Sequence, residues 1–350
     1  MSRHFNPQML VLARESRGMT QGELASRMSV TQGNISKIES GLLDISESQI
    51  EKAAELLEYP TSFFYQLEPV YGYGSACIYH RKRQSLPAHL LRKLIAEINI
   101  LRIQITKLLR SAEIEHENKF YRMDIVEYDG HAEHIARLVR RSWGIPPGPI
   151  EDLTNVIELA GGIVIKCSFG TNKIDAMSQW LPGQPPLLFM NADAPGDRLR
   201  FSLAHEIAHV IMHQIPTNDM ELEADRFASE FLMPEEEIKH FLKPISLPRL
   251  ATLKPYWKVS MAALLKRASD LELITPRQKN YLWTQMGKQG FRLKEPVEIP
   301  IEEPTVLEDI VNVHRQDLGY SISELSKLVE SYEKEFRTKF LNNSGLRLVG

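Results

Sequence analysis

The stretch RFSLAHEIAHVIMH, residues 200–213, constrains this chain more than any other, because it sets His205 and His209 four residues apart within an apolar helical pattern. Residues four apart share one helix face, so the two imidazoles stand side by side with Glu206 next to the first. Two neutral imidazoles one turn apart can grip a divalent ion, and an adjacent carboxylate can take a proton from a water held there. Leu203, Ala204, Ile207, Ala208 and Ile211 recur at helical spacing, which predicts a core face with the histidines along its edge. Pro195-Gly196-Asp197 offers the helix start and Pro216 marks its end.

A hydrolytic zinc commonly takes a third protein ligand and leaves one position open. The segment ELEADRFASEFLMP, residues 221–234, predicts a second helix with Ala224, Phe227, Ala228 and Phe231 as its core face. At roughly 100° per residue, Glu221 and Asp225 flank one shoulder of that face, and Glu223 and Glu230 lie on the other near Arg226. Glu221 is therefore the expected third ligand, and Asp225, one turn on, can accept the second ring N–H of a ligating histidine. Glu223 reads as one end of an i,i+3 ion pair with Arg226. His213, one turn beyond His209, reads as a cleft-lining residue or an oxyanion stabiliser. Its spacing differs from the longer motif in which a third histidine is a ligand. Zinc is the expected ion, although manganese or iron(II) also suits two imidazoles and one carboxylate.

These two helices resemble the signature of the ImmA/IrrE metallopeptidases, in which a His-Glu helix is followed by one reading roughly E-x-E-A-N-x-F-A-x-x-L-M-P. Glu221, Glu223, Ala224, Phe227, Ala228 and Leu232-Met233-Pro234 match it. Asp225 stands where asparagine is usual, and either side chain accepts a hydrogen bond. The resemblance implies a zinc-dependent endopeptidase with His205, His209 and Glu221 on the metal, Glu206 as general base and a repressor-type protein as substrate.

Residues 6–66 read as a bundle of five short helices, with Thr20 as an N-cap and Glu23 at the capping-box position. Within it, MTQGELASRMSVTQGNISKIESG, residues 19–41, resembles the helix-turn-helix of XRE-type (Cro and phage repressor-like) domains. Ala25, Val30, Ile35 and Ile38 would hold its two helices together. The resemblance implies that Gln32, Asn34 and Lys37, with Thr31 and Ser36, face a major groove while Gln21 meets the backbone of an operator in double-stranded DNA. Six basic residues (Arg3, Arg14, Arg17, Arg27, Lys37, Lys52) stand against eight acidic ones in this unit, so non-specific DNA affinity is modest. The same bundle also suits a protein-interaction module.

At 350 residues the chain is long enough for two or three domains. With 43% hydrophobic and 25% charged residues, a net charge of -3 and no uninterrupted apolar run of spanning length, it is neither a disordered nor a membrane-spanning type. MSRHFNPQML leads into a helix without the apolar core of a leader peptide, and Cys77 and Cys167 are far apart. The expected compartment is the reducing cytoplasm.

A linker, residues 68–86, carries the basic run Arg81-Lys82-Arg83. A long helix from Pro87 to Leu109 follows, with Leu91, Leu94, Ile98, Leu101 and Ile105 as its buried stripe. Arg92, Lys93, Arg102, Lys107 and Arg110 read as its solvated face, with a nucleic-acid contact as the alternative. After Gly161-Gly162, β-type runs at 163–166, 175–181 and 187–191 predict a small sheet whose edge could hold an extended substrate. A polar, acidic, Pro-rich connector at 294–304 leads to terminal helices at 321–339, whose role is not legible.

The expected architecture is mainly α: a five-helix helix-turn-helix domain over residues 1–67, the linker, an α+β zincin-like metallopeptidase domain with a small sheet over 87–245, and a helical C-terminal region over 246–350. The expected function is that of a zinc endopeptidase and DNA-binding transcriptional regulator that cleaves a repressor. The alternatives are a regulator whose peptidase-like domain is a non-catalytic sensor, or an antitoxin- or phage-related DNA-binding protein. The expected partners are operator DNA and a protein substrate, with no membrane and with a homodimer left open.

Overall fold

The computed structural model describes residues 4–71, 86–110, 119–341 and 346–347. Four helices open the chain: α1 (Pro7–Ser16), α2 (Gln21–Met28), α3 (Gln32–Glu39) and α4 (Glu47–Leu57), followed by a 3₁₀ turn at Thr61–Tyr65. Thr20 and Glu23 satisfy each other's backbone N–H groups at the start of α2, as the capping-box spacing predicts. Ser29 then takes a left-handed conformation, φ 62°, and turns the chain into α3. Leu24, Ala25, Ile35 and Ile38 join Met9, Leu10, Leu57 and Phe64 in one buried core.

Helix α5 (Ala88–Leu109) has apolar residues on two faces. Ala96, Ile100 and Ile103 close onto the N-terminal core, whereas Leu91, Leu94, Ile98, Leu101, Ile105 and Leu108 belong to a second core built on the sheet. The expected solvated face therefore needs correction at two positions. Arg102 is 1% exposed and Lys107 8%, because the helix is covered from both sides. Arg102 donates to the Pro69 carbonyl at 2.6 Å and lies over the Tyr71 ring. Arg92 and Arg110 remain largely exposed. The run Arg81-Lys82-Arg83 and Cys77 lie outside the described residues.

After α6 (Ala132–Ser142) and α7 (Leu153–Leu159) come β1 (Ile163–Ser168), β2 (Ala176–Gln179) and β3 (Leu187–Asn191). β3 pairs parallel with β1 and antiparallel with β2, and a short β4 (Leu346–Arg347) adds to β1, giving the order β2-β3-β1-β4. Side chains alternate across a strand, so Ile163, Ile165, Leu187 and Phe189 face the α5 side while Val164, Leu188 and Met190 face the other. A sheet covered on both faces explains why these strands are continuous apolar runs.

The second face carries α8 (Gly196–Met212) and α9 (Met220–Leu232), with the short α10 (Glu235–Ile238), α11 (Leu247–Trp257), α12 (Met261–Asp270) and α13 (Pro276–Lys288) beyond them. Leu203, Ala204, Ile207, Ala208 and Ile211 of α8 share a core with Ala224, Phe227, Ala228 and Phe231 of α9. The polar connector lies down as a strap across this layer. Glu295 accepts from Lys254 at 2.7 Å and from the Met261 N–H at 2.9 Å. Glu302 pairs with the buried Arg200 and accepts the Thr154 N–H. A Cβ on Gly196 would collide with the carbonyls of Ile299 and Pro300, so only glycine lets the strap lie against the first turn of α8.

The chain ends in α14 (Val306–Asn312), α15 (Ile322–Leu328) and α16 (Glu333–Phe340), which complete the core on the α5 side of the sheet. Among the described residues no helix is long and apolar enough to cross a membrane.

Candidate functional site

The helical register of α8 places His205 and His209 one turn apart, and packing of α9 against α8 brings Glu221 over them. The two Nε2 atoms are 3.0 Å apart, and Glu221 lies 3.6 Å from His205 Nε2 and 3.4 Å from His209 Nε2. One donor atom from each of the three residues falls within 4.8 Å of the others. Each imidazole is steadied from behind. His205 Nδ1 is 3.0 Å from Asp225 Oδ1, and His209 Nδ1 is 2.9 Å from His213 Nδ1. His213 Nε2 meets Glu223 Oε2 at 2.9 Å.

The proton assignments follow from these contacts. Asp225 accepts from His205 Nδ1–H, so Nε2 is the nitrogen whose lone pair an ion could take once the proton it shares with Glu221 is displaced. Burial, together with positive charge on His209 and His205, pushes His213 down to about 3, so it stays neutral. A neutral His213 that donates through Nε2 to Glu223 must accept at Nδ1 from His209. His209 then likewise keeps Nε2 as the nitrogen an ion could take once the proton facing Glu221 is displaced. Burial alone would lower His205, but hydrogen bonds to Asp225 and Glu221 outweigh it and lift the ring to about 9. Hydrogen bonds from both histidines hold the Glu221 carboxyl well below the usual range. The pocket therefore favours positive charge at its centre, and two imidazole nitrogens with one carboxylate fit a divalent transition-metal ion.

Glu206 projects toward the sheet and is 6% exposed. Ser178 Oγ on β2 donates to its Oε2 at 2.7 Å. Nothing in the local spacing points to Ser178, which comes 28 residues earlier and meets Glu206 only because β2 packs on α8.

Two expectations are overturned here. Glu223 does not pair with Arg226: it faces His213, while Arg226 makes two bonds of 2.7 Å to Glu133 on α6. His213 is not a cleft-lining residue, since its side chain is fully enclosed between His209 and Glu223. The sequence signal for His213 was its i+4 spacing from His209.

In the N-terminal domain, Thr31 caps α3 by accepting the Asn34 N–H. Gln32, Asn34, Ser36 and Lys37 stand exposed on the face opposite the buried Ile35 and Ile38. The Gln21 side chain donates to Glu39 Oε2 at 2.8 Å, and Glu39 also takes Arg14.

Residues 159–269 match the model of the M78 peptidase family, described as the IrrE N-terminal-like domain. Residues 10–64 match the helix-turn-helix model. The chain joins an XRE-type helix-turn-helix domain to an ImmA/IrrE-like domain. The first match contains His205, Glu206, His209, Glu221 and Asp225 and stops within α12, short of α13, the strap and the terminal helices. No curated protein matches the sequence.

Proposed function

We propose that the chain is a metal-dependent endopeptidase that reads operator DNA through its N-terminal domain and regulates transcription by cutting a repressor-type protein. One observation carries the reading: donor atoms of His205, His209 and Glu221 converge within 4.8 Å, with Glu206 on the same helix. These three residues would hold the ion, zinc being favoured by the donor types and manganese or iron(II) compatible with them. A divalent ion there supplies the positive charge that acidifies a water and polarises a peptide carbonyl.

The protein's own groups supply the proton transfers. Glu206 Oε2 is engaged by Ser178, so Oε1 accepts the water proton and returns it to the departing amine. Asp225 and His213 fix the two rings so that both Nε2 atoms aim at one point. Among the described residues β2 pairs only with β3, which leaves its outer edge to align an extended peptide. Gln32, Asn34 and Lys37, flanked by Thr31 and Ser36, are exposed along α3 and suited to base edges and phosphates. Gln21 would reach the DNA backbone after release from Glu39.

The test compares new protein N-termini in cells carrying the natural chain and the Glu206→Gln chain. The expected result is a repressor cut only when Glu206 is intact. Identical profiles, with the N-terminal domain still protecting DNA, would instead support a regulator with a non-catalytic peptidase fold.

A further inference from the structure

Beside the site, the first turns of α8, the residue before β2, and helices α12 and α13 enclose a cavity of about 550 Å³. Its apolar walls are Phe201, Ala262, Ala263, Leu265 and Trp283. Trp283 is 40% exposed, so this wall is reached from solvent. The cavity borders the proposed catalytic face through two of its lining residues. Ser202, which lines it, precedes His205 by three residues on α8, about 5 Å along the axis. Lys266, also in the lining, lies 4.0 Å from Asp225, the partner of His205. At the other end Asp175, immediately before β2, pairs with Arg198 of α8 at 2.9 Å. A peptide laid along the outer edge of β2 therefore passes the mouth of the cavity on its way to Glu206.

The charges at the rim are unequal. Asp175 and Arg198 neutralise each other, and Lys266 is taken by Asp270 at 3.3 Å and by Asp225. Lys279 has no carboxylate partner among the described residues. The rim thus carries one uncompensated positive charge next to an aromatic wall.

We propose that this cavity is the specificity pocket of the peptidase: it takes one bulky aliphatic or aromatic side chain of the cleaved polypeptide, with an acidic residue beside it facing Lys279. The proposal rests on the peptidase reading and narrows its substrate class. It also gives α13, which lies beyond the family match, a role in choosing what is cut.

Binding without turnover tests it. Fluorescein-labelled nonapeptides with Phe, Leu or Gly at the centre, followed by Asp or Lys, are titrated by anisotropy against the zinc-loaded full chain carrying Glu206→Gln. Burial of one large apolar side chain is worth about tenfold or more in affinity, so the Phe and Leu peptides should exceed the Gly peptide by that factor. Trp283→Ala should bring them within about threefold, since the largest apolar wall residue is lost. Ala263→Phe, which fills the cavity and keeps Trp283, should do the same. Lys279→Glu should turn the preference for Asp into one for Lys. Absence of peptide binding, or a Phe preference that survives both cavity variants, overturns the pocket. Selective binding by Glu206→Gln combined with no cleavage of any peptide by the unaltered chain refutes the peptidase reading alone.

Discussion

His209 is held from the side away from the proposed ion by His213, and His213 in turn by Glu223, so three residues share the task of aiming one lone pair. Removing a group that orients a metal ligand typically weakens the ion by 10–100-fold. His213→Ala should do so by about that amount, read by chelator competition, with helical content unchanged. Asp225→Ala should weaken the ion similarly through the other ring. Glu206→Gln is expected to behave differently, keeping the ion but lowering turnover by about 10²–10⁴-fold, the usual worth of a general base. Equal loss of metal in Glu206→Gln would show that Glu206 helps to hold the ion.

At the scale of elements, the candidate centre joins α8 to α9, and α9 is fastened to its other neighbours by charge. Glu230 takes Arg267 of α12 and, at 3.0 Å, Arg137 of α6, while Arg226 takes Glu133 of α6. For Glu133, burial would raise the carboxyl, but the hydrogen bonds from Arg226, a backbone hydrogen bond and the nearby charges of Arg226 and Arg267 together outweigh it and hold it below its ordinary value of 4.5. A depressed carboxyl stabilises the fold above its unfolded pKa and loses that contribution as pH falls through the folded one. Glu133→Gln should therefore cost stability at neutral pH and progressively less as pH falls below the ordinary carboxylate range, as followed by thermal melts across that range. A bound ion adds a further tie between α8 and α9. At a hundred times its dissociation constant it contributes about 2.7 kcal/mol, so chelation should lower the melting temperature of the natural chain and leave a His205→Ala/His209→Ala chain unmoved.

Across the whole molecule, α5 and α16 couple the helix-turn-helix domain to the rest. Lys339 of α16 is buried with Glu335 at 2.8 Å and Glu97 of α5 at 3.7 Å, and Arg17 of α1 approaches Glu335 at 3.9 Å. Tyr332 donates to the Tyr59 carbonyl at 3.3 Å. Breaking one side of a buried pair costs about 3–5 kcal/mol, whereas replacing both by apolar residues of like volume is near neutral. Lys339→Met should lower the urea midpoint strongly, and Glu97→Leu added to it should recover most of the loss. If Lys339→Met alone is harmless, the terminal helices do not clamp the N-terminal domain.

The sequence by itself determined what depends on residues close along the chain. A 3.6-residue period and a capping box are properties of residues close along the chain, so the core faces of α8 and α9, the adjacency of His205 and His209, and the capped start of α2 were legible without a structure. What the tertiary structure alone decided is which distant side chain each polar group finds. Glu223 has Arg226 within helical reach yet bonds His213, because Arg226 is claimed by Glu133, 93 residues away in the chain. The buried Arg102 and the strap that meets Gly196 have the same origin. Burial removes the competition of water, so a polar group takes the partner that packing brings within hydrogen-bond distance, and separation along the chain does not encode that distance.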